Sequence, residues 1–253
     1  MHLIAQLPVS RRRFAGISFS VANLAQATKL IITAAVETRT GGLDIHLLNA
    51  YSLALAERSD TFRACLVEAS DNFPDGKPLS WLTKLSKAPL KQVRGPSLFE
   101  RVLDEGREQG VRHLLLGSTP ETLALLEASL VSRYPGLHIV GSISPPFRNL
   151  SADDYETQDD EIASCRPHIV WVGLGTPKQD FEAQRLARQG DFLAIAVGAA
   201  FDFSAGTKKE APPWMAHIGV EWIYRFGSEP KRLWRRYLVG NFVFLYSAVR
   251  RRG

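Results

Sequence analysis

The feature that most narrows the fold is an alternation of short apolar runs with amphipathic segments. "CLVEAS" near 65, "VRHLLLGS" from 111, "LHIVGSIS" from 137, "HIVWVGLG" from 168 and "FLAIAVGAA" from 192 read as strands. Between and before them lie "SLFERVLDEGREQG", "PETLALLEASLVSRYPG", "ADDYETQDDEIASCRP" and "PKQDFEAQRLARQG". Each of these spaces its apolar residues as a helix does, and most end on Gly or Pro. Strands separated by single helices require crossover connections, so the sheet is largely parallel and buried on both faces. The expected class is α/β, Rossmann-like and doubly wound. A core is expected over residues 1–212, followed by a basic, aromatic helical appendage over 213–253.

That appendage carries most of the charge asymmetry. Its last segment holds Arg225, Lys231, Arg232, Arg235, Arg236, Arg250, Arg251 and Arg252 against Glu229 alone, whereas the whole chain of 253 residues is only +5. The body is therefore mildly acidic, and the tail suits anionic lipid or a phosphorylated ligand. "YLVGNFVFLYSAV" is too short to span a bilayer, which takes about 20 apolar residues. An interfacial segment with aromatics at the headgroup boundary fits it better, and a C-terminal helix packed on the body is the plainer alternative. The acidic body has no nucleic-acid reader motif, so no nucleic-acid partner is expected. Cys65 and Cys165 lie beside apolar runs and read as buried, reduced thiols. The opening residues lack the order of a secretory signal, so a cytoplasmic setting is expected.

In doubly wound sheets, ligands sit beyond the carboxyl ends of the strands. The junctions expected there are "PDG" with Asp75 and Gly76, "GSTP" from Gly117, "GSISPPF" from Gly141, "GLGTPKQD" with Gly175 and Lys178, and "GAAFDFSAG" with Gly198 and Asp202. Each strand-to-helix junction offers backbone N–H groups and a positive dipole end to an anion. Asp-Gly is first of all a turn dipeptide, because Gly accepts positive φ and Asp bonds locally. Lys178 could reach a phosphate or simply be exposed, and Asp202 suits either a sugar hydroxyl or a local turn. There is no GxGxxG or Walker loop, and no cofactor is expected. The six histidines, His2, His46, His113, His138, His168 and His217, show no ligand spacing, and no DxD motif occurs, so no metal is expected. His46 lies closest to a candidate loop, though a core histidine explains it as well.

Seven segments taken together resemble the WecG/TagA/CpsF glycosyltransferases of bacteria. They are "LLNAYSLALAERSDTFRACLVEASDNFPDGKPL", "RGPSLFERVL", "LLLGSTPETL", "YPGLHIVG", "VWVGLGTPKQD", "VGAAFDFSAGTKKEAP" and "VEWIYRFGSEPKRLWRRY". The resemblance implies inverting, metal-independent transfer from a UDP-sugar, typically of the N-acetylmannosamine type, to a sugar on undecaprenyl diphosphate. It places the reaction at the inner face of the cell membrane, in surface polysaccharide synthesis, and leaves self-association open. It also implies that Asp75 is the catalytic base and that Gln179 of "PKQD" is a second catalytic residue, its amide placed near the bound sugar. Asn49 matches the asparagine of "T-x-N". Arg225, Arg232 and Arg235 match basic positions that complete the site; Arg94 and the loop glycines are candidate substrate contacts by their place in these loops.

Three positions depart from the family pattern. Leu47 replaces the Thr of "T-x-N", Gln92 stands about where an arginine is usual (Lys91 and Arg94 flank it), and Glu210 reverses the charge of the arginine in "KRAP". These departures leave the donor sugar open, so a hexosyl- or uronosyltransferase for exopolysaccharide is an alternative. A non-catalytic, membrane-associated nucleotide-binding scaffold is a second.

Overall fold

The computed structural model describes residues 8–37, 40–212, 214, 215, 224 and 227. Arg225, Arg232 and Arg235 lie outside them, as does nearly all of the expected appendage. The described residues begin with an antiparallel hairpin, β1 (Arg11–Phe14) and β2 (Ile17–Ser20). Its two-residue loop, Ala15-Gly16, has φ of 51° and 79°. Positive φ at both positions matches the twist of the flanking strands.

After α1 (Leu24–Val36), the main sheet begins with β3 (Leu43–Leu48). It is followed by α2 (Ala50–Ala56), α3 (Asp60–Glu68), β4 (Asp71–Pro74), α4 (Lys77–Thr83) and α5 (Gly95–Glu105). The second half runs β5 (Arg112–Leu116), α6 (Pro120–Arg133), β6 (His138–Ile143), α7 (Ala152–Cys165), β7 (Ile169–Val172), α8 (Lys178–Ala187), β8 (Leu193–Ala196) and α9 (Ala200–Ser204). The six strands pair in the order β4-β3-β8-β7-β5-β6, and every pair is parallel. The α/β expectation for the core therefore holds.

Alternate residues of the central strands serve opposite layers, which is why β7 and β8 read as unbroken apolar runs. Leu43, Ile45, Leu47, Leu115, Trp171 and Ile195 pack with α1, α5, α6 and α9. Leu114, Leu116, Val170, Val172, Ala194 and Ala196 pack on the other face with α7 and α8. A smaller core under the hairpin joins Ile17 and Phe19 to Leu53, Phe62, Leu79 and Leu90.

Two local expectations are corrected. "CLVEAS" is the end of helix α3, not a strand: Phe62, Cys65 and Leu66 are buried at helical spacing, and the Ser59 hydroxyl accepts from Phe62 N–H. The strand that leads to Asp75 is the short "DNFP", whose Asp71 and Asn72 look like turn residues. The hairpin bonds both: Arg11 donates to Asp71 at 2.7 Å, and the Asn72 amide donates to the Ser18 carbonyl at 3.0 Å and to the Leu66 carbonyl of α3 at 2.9 Å. The hairpin thereby covers the sheet edge, a place otherwise open to stray pairing. Of the two thiols, which are both unpaired with one another, Cys65 is buried and Cys165 only partly so.

On the face of β3 toward α8, the apolar pattern is broken by Asp44 and His46. The fully buried His46 ring bonds Asp44 through Nε2 and Asp180, in the first turn of α8, through Nδ1, each at 3.0 Å. Ser70 donates to Asp44 through its backbone N–H at 2.9 Å and its hydroxyl at 2.6 Å. Burial alone would favour the neutral ring, but the bonds to Asp180 and Asp44 outweigh it and raise the pKa from 6.5 to about 9. His46 is thus an imidazolium tying β3 to the start of α8.

Replacing His46 by Leu strands two buried carboxylates and is expected to cost about 3–5 kcal/mol in urea unfolding. In the wild type, the stabilisation from the raised pKa is complete below about pH 6.5 and is lost as pH rises through about 9. Urea midpoints across that window check this; a wild-type decline no steeper than that of His46→Leu would remove the ionic role.

Candidate active site

The carboxyl ends of β3, β4, β7 and β8 bring Asn49, Asp75–Gly76, the 173–177 loop and the 197–199 loop to one edge, where they meet the start of α5. The packing of two glycines defines how close they come. A methyl group added at Gly95 would lie 3.2 Å from the Val197 carbonyl oxygen, 3.3 Å from Leu47 Cδ1 and 3.8 Å from Asp75 Oδ1. One added at Gly76 would lie 3.4 Å from Asn49 Cβ. Leu47 therefore forms an apolar floor beneath the start of α5.

Asp75 is held by more than its own turn. Its N–H donates to the Leu48 carbonyl at 2.8 Å, which extends the β3–β4 register by one step. Its carbonyl accepts from Gln92 Nε2 at 2.7 Å, and its Oδ1 accepts from Gly95 N–H at 2.8 Å. Next to these, Val93 N–H donates to the Pro74 carbonyl at 2.8 Å. The 92–95 segment is thus laced along residues 74–75, and the carboxylate meets the positive end of α5. The reason expected for Gly76 is corrected: its φ is −99°, and it serves as N-cap of α4 rather than as a left-handed turn residue. Gln92 is one of the groups that fixes Asp75.

Gln179 occupies an equally specific place. It is 3% exposed, and its Oε1 accepts from both Gly175 N–H and Gly198 N–H at 3.0 Å. One side-chain oxygen therefore joins the loop after β7 to the loop after β8, while Nε2 contacts Thr176 Oγ1 at 3.3 Å. Gly198 has φ of 63°, a conformation that a side chain would strain, and this turn delivers its N–H to Gln179. The amide oxygen is consumed within the protein, so the geometry makes Gln179 a tie between loops. Asp180, the next residue, is the one gripped by His46.

The remaining candidates divide. Asn49 is the N-cap of α2, with Oδ1 accepting from Tyr51 and Ser52 N–H at 3.0 and 3.3 Å. Arg94 stands at the start of α5, ion-paired with Glu210 at 3.1 Å and lying 5.9 Å from the Phe203 ring centre. Asp202 pairs with Lys208 at 2.8 Å, and its carbonyl accepts from Thr207 Oγ1, in keeping with a local structural role. Lys178 is exposed, with its ammonium 5.8 Å from the Phe147 ring centre. Gly117 lets two loops meet, since a methyl there would come within 2.8 Å of the Gly173 carbonyl carbon. Gly141 lies inside β6 rather than in the loop beyond it, and its bare face admits Cys165 Sγ and Leu114. Gly95 was not among the expected site residues. The "RGP" sequence was its signal, since a helix starting there without a side-chain cap leaves N–H groups for a partner.

Replacing Gln179 by Ala removes the acceptor of two backbone N–H groups and is expected to cost about 1–3 kcal/mol. Amide exchange at Gly175 and Gly198 should accelerate together. Unchanged protection at both positions would show that the two loops hold without this tie.

The arrangement is a fixed carboxylate beside helix starts at the ligand edge of a parallel sheet. The sequence model of the glycosyl transferase WecG/TagA/CpsF family matches residues 12–253, nearly the entire chain. The chain belongs to that family of glycosyltransferases.

Proposed function

We propose that this glycosyltransferase moves a sugar of the N-acetylmannosamine type, with inversion, from a UDP-sugar to a sugar carried on undecaprenyl diphosphate. The observation that carries the reading is the Asp75 carboxylate, oriented by Gly95 N–H at the carboxyl end of β4. In the proposed reaction it takes the proton of the acceptor hydroxyl as that oxygen bonds the anomeric carbon. The bond from the anomeric carbon to UDP breaks on the opposite face, and the electron pair leaves with the β-phosphate. The starts of α6 and α8 lie after the adjacent strands β5 and β7, whose onward connections run in opposite directions, a usual place for a nucleotide. Arg94 is within the same edge, and Arg225, Arg232 and Arg235 are proposed to complete the diphosphate contacts from outside the described residues. The reaction is proposed to be metal-independent and to take place at the inner membrane face, with the protein peripheral. No helix among the described residues is long and apolar enough to cross a membrane.

Asp75→Asn tests the base directly, because the amide oxygen can still accept from Gly95 while the basic carboxylate is gone. Turnover is expected to fall by at least about a hundredfold with UDP affinity nearly unchanged. Near-normal turnover would reduce Asp75 to an anchor of α5. Activity in EDTA should equal that in its absence; loss restored by manganese or magnesium would overturn the metal-free scheme. Glu210→Gln, which removes a carboxylate partner of Arg94, is expected to tighten UDP binding by about two- to fivefold in a calorimetric titration. Unchanged or weaker binding would separate Arg94 from the diphosphate.

A further inference from the structure

The segment that follows Asp75 has a second face unrelated to holding the carboxylate. Its inward side is anchored. Leu79 and Leu90 pack in the small core under the hairpin, Thr83 Oγ1 bonds the Leu79 carbonyl at 2.9 Å, and Arg12 donates to the Ala88 carbonyl at 2.7 Å. Its outward side exposes Trp81 at 52%, Leu82 at 40% and Leu85 at 101%. Among the described residues, no other stretch of five exposes three large apolar side chains. Around them stand Lys77, Lys84, Lys87 and Lys91, and there is no acidic residue between Asp75 and Glu100.

The geometry points to α4 and the turn after it, through Lys91, as a docking surface for an anionic lipid bilayer, separate from the C-terminal segment. Trp81, Leu82 and Leu85 suit the boundary between headgroup and acyl chain, and the lysines suit the anionic headgroups beside it. A second copy of the same face is a poor occupant, because it would set lysines against lysines with no carboxylate between them. Gly76 begins α4, so docking of this face brings Asp75 to the membrane surface, where a lipid-linked acceptor presents its sugar. In purpose the inference rests on the proposed acceptor, but it can be tested without any sugar substrate.

The test uses the full chain with vesicles of phosphatidylcholine alone or mixed with phosphatidylglycerol. Lys84→Glu with Lys87→Glu is expected to weaken sedimentation with the mixed vesicles by at least about tenfold. Because the C-terminal segment could carry binding alone, Leu85→Cys in a Cys165→Ser background is labelled with an environment-sensitive fluorophore. The label should shift to the blue on mixed vesicles only and be quenched by nitroxides placed in the bilayer. A label that stays in water while the protein sediments, with the lysine variant binding as the wild type does, would overturn the proposal. A blue shift that grows with protein concentration in the absence of vesicles would also overturn it, by making the face a contact between copies. Absence of sugar transfer would leave the vesicle result standing, so the two readings fail separately.

Discussion

A buried imidazolium holds the working end of this molecule together. His46 lies in the sheet at β3, and its two carboxylate partners belong to β3 itself and to the first turn of α8. A charge removed from water is tolerated only where its partners are close and themselves bonded. Ser70 meets that requirement for Asp44, and it comes from the turn leading into β4. One cluster therefore registers β3 against α8 and against the approach to β4. Asn49 and Asp75 stand just past the carboxyl ends of β3 and β4, and Gln179 stands in the first turn of α8.

The edge above this cluster is built largely by side chains bonding to distant backbone. Gln179 joins the loops after β7 and β8, and Gln92 and Gly95 fix Asp75 from a segment seventeen to twenty residues later in the chain. Such ties hold the Asp75 carboxylate rigidly at the ligand edge of the sheet. Rigidity of this kind is what a base needs if it is to act on one hydroxyl of a sugar that presents several. The Arg94–Glu210 pair adds a further feature: a cation at the rim of this edge already carries a carboxylate partner.

Much of the fold was legible because its rule is local. Strands β7 and β8 are continuous apolar runs and β5 and β6 are largely apolar, and α5 to α8 keep a helical period, with Ser151 capping α7. Strand β3 gave no such signal, since Asp44 and His46 interrupt its apolar residues for the sake of the ionic cluster. Helix α3 and strand β4 escape a local reading for a related reason: the apolar residues belong to the helix, whereas the strand carries Asp71 and Asn72, whose partners lie on the hairpin and, for Asn72, also on α3. Asp75 was legible as a candidate, but its bonds to Gln92 and Gly95 were not, because long-range pairing leaves no periodic trace. Gln179 was legible as a motif residue, while its service as a loop tie emerges only from the positions of Gly175 and Gly198.

The central claim is that the edge holding Asp75, Gln179 and Arg94 is a donor site for a uridine diphosphate sugar. Calorimetric titration of the full chain, without added metal, tests it most directly. The ligands are UDP, UDP-N-acetylmannosamine, UDP-N-acetylglucosamine, UDP-glucose and UDP-glucuronate. The account predicts that UDP binds and that UDP-N-acetylmannosamine binds in clear preference to the other sugars. Failure of every uridine nucleotide to bind, even with a polyprenyl-diphosphate acceptor present, would contradict it.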